Sequence, residues 1–197
     1  MKKSIIVFCL LLMHQIISAQ TEKGNIIISA GSDISGIFGK SSYEYSGNSL
    51  LTNTNTTIKF EPSAGIFLVK NLAFGLSIPI SYTKSYYDTK KEEQKAYGMS
   101  PFLMYYFGEQ KIKPYVIAEL GYMIMQNYSN QSQSVVNDTY GGLVYTGGAG
   151  VALFIYDKAA LNLELSYGQA RLVYDGDSKL ILKSNAFGVT LGFTIIL

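Results

Sequence analysis

Residues 185–197 read NAFGVTLGFTIIL, and the alternation in this segment indicates the class of structure. Large apolar residues fill every second position. Small or weakly polar residues fill the positions between them, with Ile196 as the one large exception. Successive residues of a β-strand point to opposite faces, so the segment is predicted to be a strand with one apolar face that contacts lipid. That face consists of Phe187, Val189, Leu191, Phe193, Ile195 and Leu197.

The N-terminal segment has the features of a secretory signal peptide. Lys2 and Lys3 supply positive charge, residues 5–17 are mostly apolar, and Ser18-Ala19 provides a small-residue cleavage site. The apolar run is shorter than the roughly 20 residues that a membrane-spanning helix needs. We therefore expect a signal peptide over residues 1–19, cleaved near Ala19, followed by one barrel domain over residues 20–197.

Removal of that segment narrows the possible functions. Loss of Lys2 and Lys3 reduces the 16 basic residues to 14, which balance the 14 acidic residues, so the charge gives no support for nucleic-acid binding. Cys9 and His14 are the only Cys and His, and both lie in the signal peptide. The mature domain therefore cannot hold a disulfide, a thiol nucleophile, a Ser-His-Asp triad or a His/Cys zinc site. We expect no catalytic residue, no metal and no cofactor.

Alternation and turn residues predict eight strands in the mature domain. Three of these strands contain a proline, at Pro62, Pro79 and Pro101. We expect β-bulges there, because proline cannot donate a hydrogen bond to the ladder. The predicted strands cover residues 24–38, 56–69, 72–84, 96–107, 114–127, 143–155, 159–173 and 185–197.

The connections between these strands alternate in length. Long segments at residues 39–55, 85–95 and 128–142 are separated by tighter ones, such as residues 70–71 and 156–158. An even strand number with alternating short turns and long loops is typical of an outer-membrane barrel, which leaves no strand edge in lipid. The prediction is an all-β, eight-stranded, antiparallel, up-and-down transmembrane barrel. Its last strand pairs with its first, both termini lie in the periplasm, and the long loops face outside the cell.

Several segments resemble the small outer-membrane β-barrel family of Gram-negative bacteria, of OmpA or OmpX size. They are PFLMYYF at residues 101–107, KPYV at 113–116, ELGY at 119–122 and the last strand. The resemblance covers the mature chain and concerns architecture, not activity. It implies that the last strand acts as an assembly signal, read by the barrel-assembly machinery during biogenesis.

Charged residues on the inward faces are the candidates for chemistry. They are Lys59, Glu61, Glu119 and Glu164, with Arg171 as a further candidate. We expect an interior polar network, since charges inside a narrow barrel must be paired or hydrated. An acid–base pair of Glu119 and Glu164 is one alternative, and a charge-lined narrow pore is another.

The many tyrosines have two interpretations. Those near strand ends, including Tyr97, Tyr122 and Tyr174, are predicted to form the aromatic girdles at the membrane interfaces. Loop tyrosines such as Tyr43 and Tyr140 are candidates for contact with a receptor or a glycan.

Together these observations predict an integral outer-membrane protein with a structural or surface-binding role, acting through its loops. The expected partners are outer-membrane lipid, the assembly machinery and an extracellular ligand, without nucleic acid. Three other functions stay open. The first is a narrow passive channel, and the second is an outer-membrane enzyme. The third is a soluble secreted barrel whose Leu and Ile rows turn inward around an apolar ligand.

Overall fold

A computed structural model describes residues 21–33, 38–45, 48–87, 90–131, 134–176 and 181–197. The predicted signal peptide lies outside these ranges. Within them, no helix is both long and apolar enough to cross a membrane. The described ranges contain ten strands, which are hydrogen-bonded into one sheet. They are β1 (Ile26–Asp33), β2 (Phe38–Tyr45), β3 (Asn48–Val69), β4 (Leu72–Ser77), β5 (Ile80–Tyr87), β6 (Lys90–Tyr106), β7 (Ile112–Gln131), β8 (Ser134–Tyr156), β9 (Ala159–Tyr174) and β10 (Ile181–Ile196).

The sheet closes on itself. β1 pairs with β10 on one side, where Ile27 lies opposite Ile196, and with β3 on the other side. Backbone hydrogen bonds in both directions between Ile26 and Leu197 continue this seam to the last residue. β1 and β2 both pair with β3, and β4 and β5 both lie between β3 and β6, so the ten segments form eight barrel strands. The predicted eight-stranded antiparallel barrel is confirmed.

The prediction of bulges at the strand prolines is wrong. Ladder pairing stops at Pro79 between β4 and β5, yet both strands keep the same register with β6. Pro101 interrupts the β6–β7 ladder in the same way, and Pro62 stays in register opposite Ala30. The flanking pairs fix the register, so a missing N–H leaves a gap in the ladder and not an extra residue. The register shifts lie elsewhere, between residues 43 and 44, 67 and 69, and 154 and 156.

Side-chain exposure confirms the predicted faces of the strands. On β9, Leu161, Leu163 and Leu165 are exposed on the outside, while Asn162 and Glu164 between them line the barrel interior. The same alternation runs along residues 191–197 at the end of the chain and along residues 97–106 of β6. A soluble barrel with its Leu and Ile rows around an internal ligand is therefore contradicted, because these rows form the outer surface.

The predicted long loops are paired strands for much of their length. Their Asn, Ser, Thr and Tyr residues show no apolar alternation, and the sequence pattern therefore favoured loops. Backbone pairing does not itself require that alternation, because the ladder hydrogen bonds join main-chain groups. The outermost pairs in the described residues are Gln131 with Ser134, Tyr87 with Lys90, and Tyr45 with Asn48. We call this end of the barrel the hairpin end, and the end with the turns at residues 70–71 and 157–158 the turn end.

The barrel interior is closed at the turn end by a packed layer that we call the floor. Lys113 and Thr21 complete this layer: Lys113 Nζ donates to Thr21 Oγ1 at 3.3 Å and lies 5.3 Å from the centre of the Phe154 ring. Thr21 in turn donates a hydrogen bond to Asn71 Oδ1. Ile196, the exception in the last strand, is only 1% exposed because it packs into the floor. The buried hydrophobic members are Ile27, Phe67, Ala73, Phe102, Met104, Tyr106, Tyr115, Ala152, Phe154, Ala160 and Ile196.

Three charged side chains meet on the outer side of the floor. Lys70 Nζ binds the Glu109 carboxylate and lies 3.6 Å from Glu22 Oε1. The hydrogen bond with Lys70 holds the pKa of Glu109 below its usual value, and the same bond raises the pKa of Lys70. These contacts join the N-terminal segment to the turns that follow β3 and β6.

Replacing Lys70 with glutamine should raise the pKa of Glu109 towards that of a free glutamate, about 4.3. The pKa of Glu109 is lower in the folded state than in the unfolded state, so this carboxylate stabilises the fold at pH values above its unfolded pKa. The contribution is lost as the pH falls through the folded pKa. A ¹³C NMR titration of the Glu109 carboxyl group measures the change. Lys70→Arg is the matched control and should leave the lowered pKa in place. An identical Glu109 titration in Lys70→Gln and wild type would contradict the assignment.

Candidate functional site

A cavity of about 300 Å³ lies in the barrel interior, above the floor. Small residues of the closing seam, such as Gly31 and Gly188, form one part of its wall. Larger side chains of β6 and β7 form the opposite part. Five of the described residues that line the cavity are charged. Lys59 is the only positively charged residue among them. The five are Asp33, Lys59, Glu61, Glu119 and Glu164.

Lys59 is held by Asp33, a residue that the sequence analysis did not select. Lys59 Nζ donates to Asp33 Oδ2 at 2.6 Å across the β1–β3 pairing. The contact is partly open to solvent, with 42% of the Lys59 side chain exposed. Finding this pair needs the register between two strands, which alternation within a single strand does not supply.

Glu119 and Glu61 meet at Ser77. Ser77 Oγ donates to Glu119 Oε1 at 3.3 Å, and Glu61 lies beside both residues. The same hydroxyl also lies 3.2 Å from the backbone oxygen of Ser100, next to the interruption in the β6–β7 ladder. The one hydroxyl proton of Ser77 is donated to one of these two oxygens at a time, so the backbone and the cavity share a single donor at this point in the wall.

Glu164 has different partners. Tyr115 Oη donates to Glu164 Oε2 at 3.0 Å. On the same strand, Asn162 Nδ2 donates to Thr194 Oγ1 at 2.7 Å, and Thr194 is in turn hydrogen-bonded to Ser29. Glu119 and Glu164 thus line one cavity but are held by separate side chains. In the described part of the chain, no three Asp, Glu, His or Cys side chains lie close enough together to hold a metal ion.

Replacing Lys59 with methionine should lower the free energy of unfolding by about 1 kcal/mol, because Asp33 loses the ammonium group that it binds. Partial exposure of the pair keeps the effect small. Urea unfolding of the barrel in lipid vesicles, followed by tyrosine fluorescence, measures it. Lys59→Arg preserves the charge and should lie within experimental error of wild type. Equal stabilities for the methionine variant and wild type would show that the pair contributes nothing.

Two expectations about side-chain direction need correction. Arg171 is exposed on the outer face of β9, because the neighbouring Leu172 takes the inward position and is buried. Tyr174 packs against Tyr140, with ring centroids 5.3 Å apart, and does not join the outer girdle. Tyr97 and Tyr122, in contrast, are exposed on the outside as predicted.

A chain of hydrogen bonds crosses the outer face of β8, β9 and β10 where the apolar rows of β9 and β10 end; on β8, Leu143 is exposed above it, opposite Arg171. Tyr145 Oη donates to Gln169 Oε1 at 2.7 Å, Gln169 Nε2 donates to Tyr167 Oη at 3.0 Å, and Asn185 Nδ2 lies 3.4 Å from the same hydroxyl. Below it lie the apolar rows, and above it lie Arg171 and Lys183. Amphipathic groups at this level suit the boundary between hydrocarbon and water.

Six strands continue beyond this boundary as one polar sheet, which we call the projecting sheet. Ladder pairs such as Asn53 with Tyr87 and Lys91 with Asn130 join neighbouring hairpins, so the sheet is continuous. Most of its residues are Asn, Ser, Thr, Tyr or Gln. It comprises residues 38–45, 48–57, 82–87, 90–95, 126–131 and 134–139.

Residues 6–194 match the family model described as outer membrane protein beta-barrel domain. The chain belongs to this family. Its place is therefore the outer membrane, in agreement with the closed sheet and the apolar outer surface. No curated protein sequence matches the chain significantly.

Solved structures that resemble the chain include several outer-membrane proteins. Neisserial surface protein A shares 16% identity with a TM-score of 0.51, covering 87% of this chain and 96% of that one. A major outer membrane protein from Thermus thermophilus shares 10% identity with a TM-score of 0.49, covering 88% and 99%. The N-terminal barrel domain of Pseudomonas aeruginosa OprF shares 16% with a TM-score of 0.47, covering 89% and 98%. Neisserial surface protein A supports the barrel fold, and identities this low carry no activity across.

Proposed function

We propose that this outer-membrane barrel is a surface-binding protein that holds a ligand outside the cell with its projecting sheet. The transmembrane part anchors that sheet and carries no catalytic role. The observation that carries the proposal is the continuation of six strands past the hydrogen-bonded boundary at Tyr145 and Gln169. A barrel that served only as a membrane element would not need an ordered polar sheet beyond the bilayer.

The composition of the projecting sheet supports a binding role. Tyrosine offers large contact area at a low cost in side-chain entropy, and Ser and Asn offer adaptable hydrogen bonding. Residues 126–131 read QNYSNQ and residues 82–87 read YTKSYY, so both types recur along the sheet. Such a surface fits a polar ligand, either a glycan or a folded protein.

The proposal includes an orientation and a route of assembly. The signal peptide is removed near Ala19, the turn end lies in the periplasm, and the projecting sheet lies outside the cell. Both ends of the described chain meet at the turn end, where Ile26 and Leu197 are paired. Bacterial barrels of this kind place short turns in the periplasm and long hairpins outside. The barrel-assembly machinery and outer-membrane lipid are the partners during biogenesis.

Shortening one hairpin tests the binding role. Residues 127–138 are removed and Gln126 is joined to Thr139 through Asn-Gly, which excises whole register pairs and leaves the ladder below intact. Barrels in nanodiscs are applied to a glycan array and a protein array. The wild-type barrel should bind at least one spot, and the shortened barrel should lose that binding. A control with Asn-Gly in place of residues 132–133 keeps the ladder and should bind normally. Binding that survives the excision would contradict the proposal.

A liposome-swelling assay tests a barrel that is closed at the turn end against a narrow passive channel. The floor closes the turn end with the aromatic rings of Phe67, Phe102 and Phe154 and the buried Lys113. We therefore expect no sugar flux above that of empty vesicles. Flux through the wild-type barrel would favour the channel and would count against closure by the floor.

A further inference from the structure

Two positively charged side chains lie directly opposite each other on the outer face of the barrel. Arg171 of β9 pairs with Lys183 of β10 in the ladder, and both side chains are exposed. Like charges at directly opposite positions destabilise a sheet. Within the described chain, neither head group has an ion-pair partner. The pair is therefore an exposed double positive charge that the described residues do not neutralise.

The surroundings of this pair also lack negative charge. None of the neighbours on this face whose side chains the structure describes is acidic, and they are Leu143, Gln169, Val173 and Asn185. The lysines on the outer face of β5 and β6 are placed differently. Lys84 lies 5.5 Å from the centre of the Tyr82 ring, and Lys95 lies 5.4 Å from that of Tyr128. An anion that binds Arg171 and Lys183 must come from outside the described chain.

The pair lies at the boundary between hydrocarbon and water. Gln169 and Asn185 belong to the chain of hydrogen bonds at this boundary, and each lies two residues from one member of the pair. Lipid head groups occupy this level of a bilayer, and basic side chains close to it attract anionic lipids. The anion available at this level is the phosphate of a lipid head group.

A shallow groove of about 330 Å³ lies on the apolar side of the pair. It is lined by Tyr167, Asn185, Ala186 and Phe187. The Tyr167 and Phe187 ring centroids are 4.8 Å apart, and Phe187 is 81% exposed. The groove lies at the edge of β10, since among the described residues this strand pairs with β1 only as far as Thr190. An acyl chain that descends from the pair into the bilayer would lie in this groove.

We propose that Arg171 and Lys183 bind the phosphate monoester of a lipid head group, with an acyl chain of the same lipid in the groove beside Phe187. The planar guanidinium group of Arg171 donates to the phosphate in a bidentate manner, and the Lys183 ammonium group donates to it as well. A phosphate monoester carries a charge of about −1.5 to −2 near pH 7, which matches the two positive charges. The site faces the leaflet at the hairpin end and does not depend on the ligand of the projecting sheet.

Quenching of a single tryptophan by brominated lipids tests the site. The chain contains no tryptophan, so Phe187→Trp places one reporter in the groove and keeps an aromatic ring there. The folded mature barrel is reconstituted into phosphatidylcholine vesicles that contain increasing fractions of phosphatidic acid brominated on its acyl chains. Phosphatidic acid should associate about tenfold more strongly than brominated phosphatidylcholine, the preference that two basic residues near a membrane surface supply. Phosphatidylglycerol, a singly charged diester, should rank between the two.

Charge-removing variants of the reporter barrel locate the site. The double substitution Arg171→Gln and Lys183→Gln should reduce the association of phosphatidic acid to that of phosphatidylcholine. Lys111→Gln combined with Lys158→Gln is the matched control, because it removes the same charge from exposed side chains at the turn end and should leave the preference unchanged. Arg171 and Lys183 lie outside the packed interior, so the yield of folded barrel should not change, and the gel shift on heating verifies this.

Equal association of phosphatidic acid and phosphatidylcholine with the reporter barrel would overturn the proposal, as would a preference that survives in the Arg171/Lys183 variant. Equal association of phosphatidylglycerol and phosphatidic acid would overturn the assignment to a monoester. Inorganic phosphate lacks an acyl chain and should leave the quenching unchanged; displacement of the brominated lipid would show a site for a free anion and contradict a lipid site. The comparison of lipids in the reporter barrel decides the question even if the double variant fails to fold.

Discussion

Replacing Gly75 with valine should prevent the barrel from folding, with a loss of about 3 kcal/mol or more of stability. A Cβ atom at Gly75 would lie 2.3 Å from the Ala64 backbone oxygen, 2.5 Å from Cζ of Phe102 and 2.6 Å from the Gly65 Cα. Two of these contacts are with backbone, which cannot move without breaking the β3–β4 ladder. The two glycines face each other across that ladder, and the Phe102 ring of the floor lies over both.

The measurement is the folded fraction after refolding into vesicles, read as the shift in gel migration between unheated and heated samples. Gly147→Val is the matched control. A Cβ at Gly147 meets no atom within 4 Å, because this glycine lies on the outer face of β8. Its valine variant should fold as well as wild type. Normal folding of Gly75→Val would mean that the Phe102 ring does not occupy the position described for the floor.

Replacing both Phe193 and Leu197 with aspartate should reduce the folded barrel in the outer membrane at least tenfold. Phe193 lies on the outer face of β10 and Leu197 directly follows that strand; the two side chains are 48% and 57% exposed, and this face meets lipid. A charge facing the hydrocarbon costs up to a few kcal/mol, depending on its depth. The same residues also belong to the predicted assembly signal, so recognition by the assembly machinery should weaken as well.

Membrane fractionation followed by the heat-modifiability gel measures the effect. The matched control is Lys183→Asp combined with Asn185→Asp, on the same face of the same strand but beyond the apolar band. That pair should leave the yield unchanged. Equal yields from the Phe193/Leu197 variant and the control would show that the outer face of the last strand contributes neither to lipid contact nor to recognition by the assembly machinery. Refolding into pure lipid vesicles separates the lipid contribution from the recognition contribution, because the assembly machinery is absent from such vesicles.

The parts of the fold that sequence predicted are those in which burial imposes a period of two. The rows on β9 and β10 alternate because one face meets lipid and the other meets a narrow interior, and both restrict the side chain. Ile196 is an exception on β10, because it is a large residue in a row of small side chains that face inward. Its neighbours in the floor, such as Phe67 and Phe154, also face inward within a few residues of the turn end. Large inward residues near the turn end were therefore a usable signal for the floor.

The parts that sequence did not predict depend on relations between strands. Residues 126–131 and 134–139 pair although neither segment alternates, because the constraint there is the partner backbone and not burial. The Lys59–Asp33 contact likewise depends on cross-strand register. The cavity is a third case, since its volume depends on how eight inward rows interdigitate. None of these three features can be predicted from the composition of a single strand.

The floor links completion of the interior to the last step of chain closure. Thr21 comes from the start of the described chain and Ile196 from its end, and both are buried in the same layer. A chain that lacks β10 cannot form this layer, so the side chains of the floor stay exposed to water until the seam between β1 and β10 is made. Contacts between such distant residues form slowly, because a long segment must be ordered before they are made. The floor should therefore become inaccessible to water in one late, cooperative event, and a kinetic probe placed at Ile27 should report the same rate constant as one placed at Phe154.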